Sequence, residues 1–300
     1  MKILPLAPLV AFAGKYSALA ILTLGLLNPS AHGAILSPTE VNGLQLWLDA
    51  REGVNVTGAN RVTQWNDQSG GTTYHAAPPA TEQQPLYLPS GTPSIRFDGS
   101  RQLRAAGAQG AMQNEMTAFV VVSLKELGRN QMFLDDKGGT SNNDGFYLGI
   151  RESNKVEFRV IDSTFPSSGP GAFLNHSLSL PTGYTEGYLV IVARVSSDGT
   201  TTLRVGDQET TNPGTLSLEN IKGSGEFLSI GSNSGGSWGL DGQIASVLIY
   251  DTALSNHDVG EVYDYLYSVH VIPEPQTAIL TGAGFLFAVV AGSRRRRARF

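Results

Sequence analysis

No cysteine occurs among the 300 residues. That absence excludes disulfides, thiolate metal sites, a cysteine nucleophile and lipid attachment through sulfur. A domain of this length buries enough apolar surface to fold without cross-links. Charge is sparse as well, at 16% of residues, where about a quarter is usual. The five histidines, His32, His75, His176, His257 and His270, show neither an i, i+4 pair nor metal-ligand spacing. A histidine-held metal is therefore not expected. Basic residues are scarce where nucleic acid would need them. Residues 34–272 carry 14 Lys and Arg against 25 Asp and Glu, and an acidic surface repels a phosphate backbone. Internal repeats, low-complexity runs and long linkers are also lacking in that stretch.

What the chain has in quantity is punctuation, with 35 Gly and 15 Pro. Both residues break regular structure at turns, so many short strands are favoured over long helices. Between Ala34 and Ile272, apolar bursts alternate with Gly, Pro, Asn, Asp and Ser clusters, the pattern of one antiparallel sandwich. The pattern predicts strands at Leu44–Asp49, Arg61–Trp65, Ser94–Asp98, Thr117–Leu124, Gln131–Leu134 and Phe146–Ile150. It predicts others at Lys155–Ile161, Tyr188–Val195, Thr201–Val205, Phe227–Ile230 and Asp241–Tyr250. In the last of these, Ile244, Ser246, Leu248 and Tyr250 alternate with Ala245, Val247 and Ile249. Both sets are largely apolar, so a central strand covered on both faces is expected. Ser196-Ser197-Asp198-Gly199 supplies the positive φ of a tight hairpin. Ser255 is placed to cap a helix, with Asp258 in its first turn. Val259, Val262, Tyr263 and Leu266 form one apolar stripe at i, i+3, i+4 and i+7, to be packed on the sandwich.

The two ends read as addresses. Lys2 and Lys15 precede the apolar stretch Ala18–Leu27, which Asn28, Pro29 and Ser30 break. Ala31-His32-Gly33 then offers small residues for a signal peptidase, so residues 1–33 are expected to be a signal peptide, cut before Ala34. At the other end, Pro273-Glu274-Pro275 precedes the uncharged, mostly apolar run Thr277–Gly292 and then Arg294, Arg295, Arg296, Arg297 and Arg299. As a helix that run spans ~24 Å, short of a ~30 Å hydrocarbon core, and its arginines would stay cytoplasmic. Residues 273–300 closely resemble the PEP-CTERM sorting tail of Gram-negative bacteria that make extracellular polysaccharide. The resemblance implies transient membrane anchoring, then processing near Pro273–Pro275 by an exosortase, and a place on the cell surface or in the extracellular matrix. A plain C-terminal membrane helix is the alternative.

Two stretches of residues 34–272 carry a second resemblance. Leu44–Ala50, Arg61–Gly70 and Ile95–Ser100 resemble the opening of bacterial laminin G-like, concanavalin A-like domains. Leu240–Ile244 and Ile249–Ser255 resemble their closing strand and helix start, and Lys137-Gly138 with Gly145–Gly149 fits the middle. The fold implied is all-β: a concanavalin A-like jelly-roll sandwich of two antiparallel sheets, with one short C-terminal helix.

Candidate chemistry is thin. Of the three tryptophans, Trp47 and Trp65 are expected to pack in the core, with the Asn66–Gly70 polar side chains bonding to backbone. Trp238, in Gly235-Gly236-Ser237-Trp238-Gly239, is expected in a flexible loop and is the ligand-stacking candidate. That segment also matches G-x-S-x-G, but a nucleophile elbow needs a strand-to-helix turn, and here a strand follows. Enzymes of this fold place carboxylates at alternate strand positions. No Glu-x-Asp-x-Glu exists; Glu152, Glu157 and Arg159 come nearest, and the adjacent Asp135 and Asp136 would point to opposite faces. Related domains often bind Ca²⁺ through loop oxygens, which makes Asp67, Asp98, Asp135, Asp136, Asp144 and Asp241 candidates. Asp98 and Asp241, each before a glycine, are singled out, although an Asx-turn explains both equally well.

These features together imply a non-enzymatic surface or matrix protein whose lectin-like sandwich binds exopolysaccharide or cell-surface glycan. A polysaccharide-degrading enzyme with a divergent site, or a purely structural coat component, are the alternatives.

Overall fold

The computed structural model describes residues 36–272, apart from 72, 109–111, 113, 137–144, 162–172, 215–217, 219, 220 and 222–225. The expected signal peptide, the sorting motif Pro273, Glu274, Pro275 and Arg294–Arg297, and the residues Lys137, Gly138 and Asp144 lie outside the described residues. Among the described residues, no helix is long and apolar enough to cross a membrane.

Seventeen strands make the described body. They are β1 (Leu44–Asp49), β2 (Val54–Val56), β3 (Val62–Trp65), β4 (Ala76–Ala77), β5 (Leu86–Leu88) and β6 (Ser94–Asp98). Then come β7 (Leu103–Ala106), β8 (Met116–Leu124), β9 (Gln131–Asp135), β10 (Gly145–Ile150), β11 (Lys155–Ile161) and β12 (Leu174–Ser179). The last are β13 (Tyr188–Val195), β14 (Thr201–Val205), β15 (Gln208–Asn212), β16 (Phe227–Ile230) and β17 (Asp241–Tyr250), followed by the helix α1 (Asn256–Leu266). An eight-stranded antiparallel sheet runs β15-β14-β13-β8-β17-β6-β5, with β1 also paired to β17. A nine-stranded sheet runs β12-β11-β10-β9-β16-β7-β4-β3-β2. The architecture is the expected two-sheet all-β sandwich.

Every strand predicted from the sequence is present, some shifted by one residue at an end. The six strands not foreseen are short or marginal: β2, β4, β5, β7, β12 and β15. β15 is exposed throughout and β12 alternates around small polar residues, so neither carries the apolar run that marks a strand. The predicted hairpin joins β13 to β14, with Gly199 at φ 78° and Asp198 Oδ1 accepting the Thr200 N–H at 2.8 Å.

The core lies in two layers. One cluster fills the space between the sheets, with Trp65, Phe97, Val120, Phe133, Phe146, Phe158 and Ile244 fully buried or nearly so. The second lies on the back of the eight-stranded sheet, where Phe119, Val121, Leu248 and Tyr250 meet Val259, Val262, Tyr263 and Leu266 of α1. Ser255 Oγ caps α1 by accepting the Asp258 N–H at 3.1 Å. β17 serves both layers, as expected, but its alternation is not the simple one read from the sequence. The register with β8 slips between Ile244 and Ser246, so Ile244 joins Val247 and Ile249 in the inter-sheet core while Ala245 joins Leu248 and Tyr250 under the helix. A β-bulge changes which face each later residue takes. Trp65 is buried between the sheets, whereas Trp47 is half-buried on the helix side, edge-on to Tyr265 at 6.2 Å.

The end of β1 meets the chain after α1 at a buried carboxylate. Asp49 is buried, accepts the Arg51 N–H at 2.8 Å, and pairs with the Arg51 guanidinium at 2.8 Å. His270 Nε2 lies 3.6 Å from Asp49 Oδ2, beyond a normal hydrogen bond. Burial pushes the Asp49 carboxyl up, but His270 and Arg51 together outweigh it and hold it at about 2. A carboxylate whose folded pKa lies below its unfolded value adds stability above the unfolded pKa and loses it as pH falls through the folded one. Asp49→Asn should therefore lower unfolding free energy by about 2 kcal/mol at neutral pH. The deficit should shrink as pH drops from about 4 toward 2, measured by denaturant titration at each pH. An equal deficit at every pH would contradict this.

Candidate functional site

The middle of the nine-stranded sheet is built from β9, β10 and β11, and strand alternation sorts its residues. Phe146, Leu148 and Ile150 of β10 and Val156, Phe158 and Val160 of β11 face the inter-sheet core. Their neighbours Tyr147, Gly149, Glu157 and Arg159 take the outer face. Register then aligns residues that are remote in sequence. Arg104 opposes Ser229, Ser229 opposes Asp135, Asp135 opposes Tyr147, Tyr147 opposes Arg159 and Arg159 opposes Asn175. This row crosses six strands, ~24 Å at ~4.8 Å per strand. A second row sets Met132, Gly149, Glu157 and Ser177 side by side.

Cations and aromatic rings pair on and beside these rows. The Arg104 guanidinium carbon lies 4.1 Å from the Phe227 ring centroid. Arg159 lies 5.3 Å from the Tyr147 ring and 4.5 Å from the Phe173 ring. Arg151 lies 4.8 Å from the Trp238 ring. Such pairs are worth ~0.5–1 kcal/mol when exposed and ~2 when desolvated. Glu157, only 8% exposed, is the centre. Its Oε1 accepts the Tyr147 hydroxyl, with Arg159 Nη2 at 3.6 Å and Arg151 Nε at 3.9 Å. Burial, reinforced by Glu157, pushes the Tyr147 phenol up, so it remains a hydrogen-bond donor.

The loop between β16 and β17 folds over one end of this face. Ser234 N–H donates to Asp135 Oδ2 at 2.6 Å, and Ser229 Oγ donates to Ser232 O at 2.8 Å. Asn233 Oδ1 accepts the N–H groups of Ser237 at 2.6 Å and Trp238 at 3.3 Å. The Trp238 carbonyl accepts the Met132 N–H at 2.9 Å. Gly239 is required here because a Cβ would collide with the Gly99 carbonyl. The loop expected to be flexible is thus pinned by its own asparagine and by β9. Trp238 is half-buried, with Arg151 on its ring. The more exposed aromatic is Phe173, 49% exposed, which sequence reasoning missed because it stands just before β12, a strand that the pattern does not reveal.

Asp98 and Asp241 stand directly opposite each other where β6 pairs with β17. Asp98 accepts Ser100 Oγ at 2.8 Å and Arg101 Nε at 3.1 Å. Slight burial raises its pKa, but Ser100 and Arg101 outweigh that and lower it. Asp241 has Lys125 Nζ at 3.6 Å. Each carboxylate therefore has its own cation. Among the described residues, no group of three or more His, Cys, Asp or Glu is placed to hold a metal ion. Asp67 bonds to backbone as expected, accepting N–H groups from Trp47, Ser69 and Tyr74 at 2.9–3.0 Å. The G-x-S-x-G segment leads into β17, a strand. Asp135 and Glu157 share the outer face although no single strand carries both, which a search for a contiguous motif cannot find.

A laminin G-type family model, described as the concanavalin A-like lectin/glucanases superfamily, matches residues 97–260. No curated protein sequence matches the chain. Among solved structures, the binding domain of botulinum neurotoxin DC in complex with SialylT is 12% identical, with a TM-score of 0.54, covering 75% of this chain and 52% of that one. The binding domain of Paraclostridial mosquitocidal protein 1 is 12% identical, with a TM-score of 0.53 and coverage of 75% and 52%. A botulinum neurotoxin type C structure, whose cell entry is described as dependent on interaction with two ganglioside molecules, is 11% identical, with a TM-score of 0.52 and coverage of 75% and 51%. The chain spans about half the length of these structures, and at such identity the likeness is one of fold. With the family match extending from the end of β6 into α1, the chain belongs to the concanavalin A-like lectin/glucanases superfamily.

Proposed function

We propose that this chain is an exported, non-enzymatic glycan-binding protein whose binding surface is the outer face of the nine-stranded sheet, around Tyr147, Arg151, Glu157, Arg159, Phe173 and Trp238. The observation that carries the reading is the set of guanidinium–ring pairs gathered on and beside the row that crosses six strands: Arg159 with Tyr147 and Phe173, and Arg151 with Trp238. Rings bury the apolar faces of sugars, and fixed donors and acceptors take their hydroxyls. The ganglioside and SialylT descriptions of the structural neighbours support it by analogy of fold. Trp238 and Phe173 supply the rings that stack on the ligand. A role for Asp98 and Asp241 in Ca²⁺ binding remains a proposal, tested by adding or chelating Ca²⁺ in the same assay.

One observation favours a second reading, cleavage of the bound glycan: Asp135 and Glu157 lie on one face, two strands apart. Strand spacing and a two-residue offset put their Cα atoms ~12 Å apart. A retaining pair has its carboxyls ~5–5.5 Å apart, and Glu157 is already held by Tyr147. Reducing-end release from a bound glycan, abolished by Glu157→Gln, would replace the binding reading with this one.

For delivery, we propose that residues 1–33 direct export and that Pro273-Glu274-Pro275, Thr277–Gly292 and Arg294–Arg297 direct sorting by an exosortase to the cell surface. Mass spectrometry of the protein from its native cells should find a chain starting at Ala34 and ending near Pro273–Pro275. Recovery of an intact C-terminus carrying Arg294–Arg297 would contradict sorting. For the site, Trp238→Ala and Phe173→Ala should each weaken glycan retention by about tenfold, equivalent to about 1.4 kcal/mol, with circular dichroism unchanged. Unchanged retention in both variants would place the ligand elsewhere.

A further inference from the structure

Three guanidinium groups on the outer face keep donors without a hydrogen-bond acceptor among the described residues. Among the described residues, Arg104 Nε, Arg151 Nη1 and Arg159 Nε are shielded from solvent and have no hydrogen-bond partner. An N–H withdrawn from water with no acceptor is costly, and a structure that keeps three on one face points to an acceptor that arrives from outside. Among the described residues, the carboxylate paired with Arg159 and Arg151 is Glu157, at 3.6 and 3.9 Å. Those distances exceed a hydrogen bond, and Tyr147 already occupies Glu157 Oε1. Asp135 also faces outward, with Ser234 N–H on its Oδ2.

The sign of the face runs against the sign of the domain. Residues 34–272 carry 25 acids and 14 bases, yet the two outer rows and the flanking Arg151 and Lys155 together hold Arg104, Arg151, Lys155 and Arg159 against Asp135 and Glu157. The guanidiniums are also held in place. Each lies on an aromatic ring, at 4.1 Å for Arg104, 4.8 Å for Arg151 and 4.5 Å for Arg159, so little side-chain freedom remains to be lost on binding. The side chains of Arg151 and Arg159 are 30% and 28% exposed, so each reaches the surface although Arg151 Nη1 and Arg159 Nε are themselves shielded. A planar, fixed guanidinium fork is complementary to a planar carboxylate, which it takes through two parallel hydrogen bonds.

From this arrangement we infer that the ligand is an acidic glycan of the uronate type, its ring carboxylates taken by Arg104, Arg151 and Arg159 while its apolar ring faces lie against Phe173 and Trp238. The inference rests on the glycan-binding reading and names its ligand class. The row's ~24 Å across six strands suits a polymer with charge at intervals better than a single sugar.

The test uses the full chain in affinity electrophoresis through gels holding polygalacturonate, carboxyl-reduced polygalacturonate, dextran or dextran sulfate. Polygalacturonate should retard the chain at least tenfold more strongly than its carboxyl-reduced form or dextran, and raising the salt should weaken the retardation. Arg151→Gln and Arg159→Gln should each weaken it at least fivefold. Arg159→Lys, which keeps the charge and loses the fork, should fall between Gln and the parent, and Arg96→Gln on β6 of the other sheet should leave it unchanged. Equal retardation by neutral and carboxylated gels, still lost in Trp238→Ala, would overturn the acidic-ligand inference and leave the binding surface standing. Equal or stronger retention by dextran sulfate would overturn the commitment to carboxylate. No retention by any gel would defeat both readings.

Discussion

β17 is apolar on both faces, and neither face can be left in water. The inter-sheet core covers Ile244, Val247 and Ile249, and α1 covers Ala245, Leu248 and Tyr250. Burying each large side chain is worth ~1.5–3 kcal/mol, so this two-sided demand fixes the order of layers: helix, eight-stranded sheet, nine-stranded sheet. The helix closes the back of the eight-stranded sheet across its centre. The broad sheet face that remains outside both core clusters is the outer face of the nine-stranded sheet, and there the polar and cationic residues gather.

That face is organised by electrostatics more than by apolar burial. Glu157 is nearly buried, and an isolated carboxylate in that position would be costly. It is stabilised by the Tyr147 hydroxyl and by two guanidiniums at longer range. The guanidiniums are in turn oriented by rings from a neighbouring strand or loop. The result is a surface whose donors are fixed in place before any partner arrives, and pre-organisation reduces what ordering would subtract from affinity. The β16–β17 loop contributes Trp238 because Asn233 closes a side-chain turn on Ser237 and Trp238, and because the Met132 N–H of β9 donates to the Trp238 carbonyl.

Much of this was legible in the sequence, and the reasons it stopped are physical. Long strands such as β8, β13 and β17 announce themselves because both faces are apolar and the runs are uninterrupted. The α1 stripe and its Ser255 cap are local signals, and they hold. β15 is exposed at every residue; pairing with β14 alone makes it a strand, and pairing is not a local property. The phase of β17 after Ile244 depends on a bulge that only its partner reveals. The candidate site is hardest of all. Its principal row joins Arg104, Asp135, Tyr147, Arg159, Asn175 and Ser229, residues brought side by side by register across six strands. Trp238 was found because a lone tryptophan among glycines is unusual, but its contact with Arg151 has no signature in sequence.

The three tryptophans allow a direct test, because each sits in a different layer: Trp47 against α1, Trp65 between the sheets, and Trp238 on the outer face. Their three indole N–H resonances can be followed by nuclear magnetic resonance while polygalacturonate oligomers are titrated in. The account predicts that the Trp238 signal shifts in step with occupancy while those of Trp65 and Trp47 stay in place. Movement of the Trp47 signal with Trp238 unchanged would put the ligand on the helix side and contradict the assignment of the outer face.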